Sequence, residues 1–259
     1  MRVVVAESAA AAAHDAAALV EGFIACTPSA SLGLATGATM EAVYAEIVHR
    51  HRWHGLSFCG VRAYLLDEYL GLEAGDRRAY RQVVERLLAG RVDFGPEAVC
   101  GPDPGAEDLA AECARYDRQV REALIGLQLL GIGSNGHIAF NEPGSPLDST
   151  TRVVALSEQT RADNARFFVG AARVPARAIT QGIATIVAAS RLVLVACGEH
   201  KARAVARAVE GPVTSEVPAS VIQTHPNATV VLDPGAASGL CTTVSASPPP
   251  LACSPARSS

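Results

Sequence analysis

The chain has 259 residues, 49% of them hydrophobic and 5% aromatic, with a formal net charge of −4. That is ample for a large core built mainly from Ala, Val, Leu and Ile. The acidic balance speaks against a nucleic-acid binder, which usually shows a basic face.

Seven cysteines, at 26, 59, 100, 113, 197, 241 and 253, include no C-x-x-C pair of a zinc or redox site. They read as small core hydrophobes in a reducing compartment. Taken in chain order, residues 2–6 predict a buried strand and residues 9–23 a helix. Glu7, His14 and Asp15 interrupt the apolar run there, so it is not read as a secretory signal. No stretch reads as long and apolar enough to cross a bilayer.

A strand at 31–35, a helix at 41–50 and a strand at 60–66 come next. Then follow a helix at 107–124, strands at 127–132 and 192–197, a helix at 201–210 and a strand at 229–232. Strands alternating with helices predict βαβ units, hence an α/β fold, mostly a parallel sheet with helices on both faces. Residues 1–233 read as a single catalytic domain. Residues 234–259 are rich in Gly, Ala, Ser, Thr and Pro, with three prolines at 248–250, and read as a disordered tail. The whole predicts a cytoplasmic globular protein.

Ligands of such sheets bind beyond the carboxyl ends of the strands, and four groups of unusual residues sit there. Thr36-Gly37-Ala38-Thr39 precedes a helix and reads either as an anion cradle of free backbone N–H groups or as an ordinary N-cap through Thr39. Leu66-Asp67-Glu68-Tyr69 places adjacent carboxylates after an apolar strand, where they must cap, pair or do chemistry. Asp67 is the candidate general base, with a capping carboxylate as the alternative.

The densest group runs from Leu130 to Gly144 and holds four glycines, with Asn135, His137 and Glu142 among them. An imidazole titrating near neutral pH suits proton transfer, and Glu142 is near enough in sequence to orient it. Finally, Lys201 follows a strand and opens a helix, and Arg166 lies in Asn164-Ala165-Arg166-Phe167-Phe168. Both are candidate phosphate-binding cations. His49, His51 and His54 suggest a metal site, but spacings of two and five do not put three imidazoles on one helix face. They read as a polar helix end, and no metal is predicted.

In order and over about 230 residues, these motifs resemble the glucosamine-6-phosphate deaminase family. The most specific is Gly-His-Ile-Ala-Phe-Asn-Glu-Pro at 136–143. The resemblance implies a Rossmann-like fold, no cofactor, and conversion of glucosamine 6-phosphate and water to fructose 6-phosphate and ammonia. It implies that Asp67 moves a proton between C2 and C1, that His137 with Glu142 assists ring opening, and that Arg166, Lys201 and the 36–39 turn hold the phosphate. It also implies a mobile lid at about 156–178. Asn135 stands where many members carry Asp; its amide oxygen is expected to accept from His137, leaving Glu142 as the main charged partner. Ala38 replaces a glycine of the turn.

Many bacterial relatives are hexamers activated by N-acetylglucosamine 6-phosphate. Arg152 matches one cation of that effector site, but Val154 replaces a lysine and Pro146 a serine beside Ser145. The effector site therefore reads as incomplete, and homo-oligomerisation stays open. Two other readings stand beside this one: a 6-phosphogluconolactonase-like sugar-phosphate hydrolase, and a non-catalytic sugar-phosphate sensor. Neither nucleic acid nor membrane is a predicted partner.

Overall fold

A computed structural model describes residues 1–168 and 173–241. Residues 169–172 of the expected lid, and 242–259 of the expected tail, lie outside the described residues. The strands are β1 (Arg2–Val5), β2 (Ser31–Leu34), β3 (Arg62–Leu65), β4 (Asp67–Tyr69), β5 (Val99–Cys100), β6 (Leu127–Leu130), β7 (Arg152–Ala155), β8 (Arg177–Thr180), β9 (Leu192–Ala196) and β10 (Ala228–Leu232). The α-helices are α1 (Ala9–Cys26), α2 (Ala38–His54), α3 (Tyr80–Leu87), α4 (Leu109–Glu122), α5 (Glu158–Asn164), α6 (Ile183–Val187), α7 (Ala202–Val209) and α8 (Pro234–Ala237).

Seven strands form one sheet in the order β1-β10-β9-β6-β2-β3-β5, with every pairing parallel. All residues of β6 and β9 are buried, as strands covered on both faces require. The polar exception is Gln128 in β6. Its Nε2 donates to the Leu129 carbonyl over 2.8 Å, and its side chain fills the space over Gly33 of β2. A Cβ on Gly33 would fall 1.8 Å from Gln128 Oε1, so only glycine fits there.

From β2 the chain moves to β3 on one side of the sheet; from β6 it ultimately returns to β9 on the other. This reversal between neighbouring β2 and β6 opens a crevice beyond their carboxyl ends. A second sheet, β4-β8-β7, is antiparallel and was not anticipated from the sequence. Its strands are three or four residues long, and β4, Asp-Glu-Tyr, lacks the apolar run by which the main strands are recognised.

Three expectations need correction. By length and mean hydropathy α1 does reach what a membrane span needs. Its face of Ala12, Ala16, Ala17, Val20 and Ile24 is buried, however, and it packs on α2, β9 and β10 as a core helix. The tail does not begin at Pro234. Asp233 caps α8 by accepting the Ala236 N–H over 2.7 Å, and Ala236 is buried in the core. Nor are the cysteines uniformly core residues: Cys113 is buried, whereas Cys59 and Cys241 are exposed.

Candidate active site

A cavity of about 830 Å³ opens over the crevice, lined among others by Thr36, Gly37, Asp67, His137, Arg166 and Lys201. Ala38 and Thr39 also face it. The fold thus gathers into one space residues separated by up to 165 positions.

Asp67 owes its place to a break in the chain. β3 ends at Leu65, and after Leu66 the backbone leaves the main sheet to pair with β8, Asp67 opposite Thr180. Asp67 is therefore the first residue of a strand of its own rather than the end of β3. It is 6% exposed. Burial, then the neighbouring Glu68 charge, hold its carboxyl well above the usual carboxylate range. A carboxylate in that state is an avid proton acceptor once ionised.

Glu68 takes the capping role that the sequence left open between the two acids. Its Oε1 accepts the N–H groups of Tyr69 and Tyr80, and its Oε2 that of Arg81, each over 2.9 Å. The last two belong to the first turn of α3, whose N-cap, Ala79, offers no side-chain acceptor. A buried acid on β4 thus caps a helix 12 residues away and fixes Tyr80 at the cavity wall. Tyr80 in turn donates to the Tyr69 hydroxyl (3.2 Å), which also accepts from Asn164 (2.9 Å). Sequence reasoning missed Tyr80 and Asn164 because neither role has a local pattern.

His137 sits in a tight turn closed by the Gly133 N–H donating to its own carbonyl over 2.9 Å. A Cβ on Gly133 would lie 2.2 Å from the imidazole Cε1, so the glycine makes room for the ring. Ala139, two residues on, holds φ at +50°, a left-handed conformation uncommon for a non-glycine residue and frequent at functional sites. Burial lowers the proton affinity of His137 against the opposing pull of Glu142. The imidazole Nδ1 lies 3.8 Å from Glu142 Oε2 and has no hydrogen-bond partner.

Contrary to the expectation from sequence, Asn135 does not accept from the imidazole. Its Oδ1 takes the backbone N–H of His137 (3.1 Å), while its Nδ2 donates to Glu142 Oε2 (2.8 Å). Glu142 Oε1 accepts from the Ser157 hydroxyl (3.0 Å) and N–H (3.3 Å). Burial favours its protonation, but the Thr160 hydroxyl, His137, Asn135 and Ser157 prevail and hold its carboxyl below the ordinary range.

The cations meet at the other side of the cavity. Lys201 ends a 3-10 turn after β9, and Arg166 lies in the turn Ala165–Phe167 that follows α5, its guanidinium 4.9 Å from the Phe167 ring centre. Burial and then Arg166 depress the proton affinity of Lys201, while Asp163 opposes them. Two cations that disfavour each other in a partly buried pocket suit a doubly charged anion. The N-terminus of α2 adds to them. Its N-cap is Gly37, at φ +116° and without a side-chain cap, so Thr39 is not the N-cap. At the far end of α2, His51 Nδ1 bonds the Leu56 carbonyl (2.7 Å) and His49 meets His54 edge to face. Among the described residues, no group of three or more His, Cys, Asp and Glu could hold a metal ion.

A parallel α/β sheet with an acid, an imidazole and paired cations beyond its strand ends defines a Rossmann-like protein built for a small anionic ligand. The chain belongs to the family of glucosamine-6-phosphate isomerases/6-phosphogluconolactonase, which matches residues 5–231. It is 52% identical to a glucosamine-6-phosphate deaminase of Beutenbergia cavernae, across 88% of this chain and 90% of that one. It is 50% identical to a glucosamine-6-phosphate deaminase of Mycolicibacterium smegmatis, across 87% of each. A solved monomeric glucosamine-6-phosphate deaminase superposes with a TM-score of 0.90 at 40% identity, covering 92% of this chain and 100% of that one. The 6-phosphogluconolactonase of Trypanosoma brucei superposes at 0.70 with 20% identity, covering 93% and 98%, and shares the fold.

Proposed function

We propose that this chain converts glucosamine 6-phosphate and water to fructose 6-phosphate and ammonia. The observation that carries the reading is the single cavity shared by buried Asp67, His137 and the facing cations Arg166 and Lys201. The relatives named for this activity, about half identical over most of the chain, support it.

The phosphate is held by Arg166, Lys201 and the amides of the 36–39 turn. Anchoring of this kind can supply roughly 7–11 kcal/mol of orientation in favourable cases. His137, paired with Glu142, shuttles the proton that opens the sugar ring at O5. Asp67 removes the proton at C2 of the open aldose and delivers it to C1, leaving an imine at C2. Water adds to that carbon and ammonia departs, so the atoms balance with no redox partner. The ring-opening and C2-to-C1 proton transfers are thus assigned to His137 and Asp67, and neither calls for a metal or cofactor.

Arg152 bears on regulation. Its guanidinium donates to Asn141 Oδ1 (2.9 Å) and Ser145 Oγ (3.1 Å), and Val154 beside it on β7 brings no charge. This supports an enzyme without activation by N-acetylglucosamine 6-phosphate. Sigmoidal kinetics relieved by that compound would refute it.

The deciding experiment incubates chelator-treated protein with glucosamine 6-phosphate and follows ammonia and fructose 6-phosphate together, with Asp67→Asn alongside. Equal formation of both, lowered at least 10²-fold in the variant, is the expected result. Binding without either product would favour the sensor; hydrolysis of the phosphogluconolactone without ammonia release would favour the lactonase.

A further inference from the structure

One serine joins two parts of the site directly. As N-cap of α5, Ser157 accepts the Thr160 N–H on its hydroxyl oxygen over 3.1 Å. The same hydroxyl donates to Glu142 Oε1 over 3.0 Å, and the Ser157 N–H adds a second bond of 3.3 Å. The carboxylate that faces His137 is thus tied directly to the start of a helix.

The other end of that helix lines the cavity. α5 closes at Asn164, the next turn carries Arg166, and both residues line the cavity. Seven helical residues span about 10 Å, so α5 is a short rigid strut. One end rests on Glu142, and the other bears a phosphate-facing cation. Asn164 hydrogen-bonds the Tyr69 hydroxyl and Asp163 accepts from Ser134 (2.8 Å), which gives the strut two further footholds.

The geometry at the Glu142 end is incomplete. His137 Nδ1 stands 3.8 Å from Glu142 Oε2 and is buried without a partner. A charge-assisted bond between these groups spans about 2.7–2.9 Å. An advance of roughly 1 Å by Glu142 would therefore convert proximity into a hydrogen bond.

We propose that Ser157 is a positioning residue through which an anion drawn to Arg166 at one end of α5 brings Glu142 into hydrogen-bonding reach of His137 at the other. The inference rests on the reading of Arg166 and Lys201 as phosphate ligands. Its consequence is economy of proton transfer: the imidazole gains its full basicity only when the phosphate group is in place.

The charged groups facing His137 are Glu142 from its own loop, Asp163 from α5 and Lys201 from the turn after β9. A bound anion also offsets the Lys201 charge, so the test must separate that direct effect from the one carried by Ser157. The whole chain is titrated by imidazole NMR at His137, with and without inorganic sulfate. Wild type is compared with Ser157→Thr, which keeps the hydroxyl, and with Ser157→Gly, which removes it with a residue well tolerated at a helix N-cap.

Sulfate is expected to raise the His137 midpoint by about one pH unit in wild type and Ser157→Thr, in keeping with an opposite charge drawn close. In Ser157→Gly the rise is expected to shrink by at least half, with sulfate still bound at Lys201. An equal rise in Ser157→Gly would overturn this inference alone, since the effect would then be purely the offset of Lys201. Failure of sulfate to bind wild type at all would overturn the phosphate-site reading, and this inference with it.

Discussion

Asn135 holds Glu142 rather than the imidazole of His137: its Nδ2 donates to Glu142 Oε2 over 2.8 Å, and its Oδ1 takes the His137 backbone N–H. A neutral amide therefore braces the turn and the carboxylate together, and Glu142 is the carboxylate the ring faces at 3.8 Å.

Asn135→Asp is the first test of that arrangement. The backbone bond to His137 can persist, but the donor to Glu142 is replaced by a second negative charge. Like charges in contact raise each other's proton affinity, and both attract a proton to the imidazole. The His137–Glu142 pair titrates as a unit, and its apparent midpoint in the pH–rate profile is expected to move upward. An unchanged profile would show that position 135 does not govern the pair.

Glu68 should matter to stability more than its place beside Asp67 suggests. Glu68→Ala strips three backbone N–H groups of their acceptor, two of them in the uncapped first turn of α3. The expected loss is roughly 2–4 kcal/mol. Adding Ala79→Asp should return about 1 kcal/mol by giving α3 a local N-cap. Denaturant melts of both variants check this; no recovery in the double variant would mean that capping is not what Glu68 contributes.

Asp67 is expected to trade stability for chemistry. Its carboxyl is held well above the usual range by burial and Glu68. An acid whose folded-state proton affinity is raised contributes stability that is full below the unfolded value, about 3.9, and is lost as pH climbs toward the folded one. Asn carries no such liability. Asp67→Asn should therefore melt above wild type at neutral pH, with the gap closing as pH falls to about 4. Parallel melting curves across that range would contradict the charge-burial account.

Six of the seven strands of the main sheet were legible from local runs because a strand buried on both faces is mostly apolar, as in Leu192–Ala196, whereas the two-residue β5 left no such run. The small antiparallel sheet was not legible, since β4 is Asp-Glu-Tyr and owes its existence to pairing with β8, over 100 residues away. Of the residues that motif chemistry singled out, the fold brings Asp67, His137, Arg166 and Lys201 to one cavity, with Glu142 beside His137. That chemistry named Asp67 the candidate base but could not assign Glu68 its capping role, because that depends on where α3 lies.

What the sequence determined by itself is thus the α/β class, the family, and the chemical groups available, all written in apolar periodicity and in motif composition. Only the tertiary structure decided who touches whom. Glu68 caps α3, Asn135 supports Glu142, Ser157 joins α5 to that carboxylate, and residues 234–237 form a helix on the core rather than the start of a tail. Each of these is a hydrogen bond or a burial whose partner is set by packing, and a chain read locally carries no record of which donor the folded neighbours will leave without an acceptor.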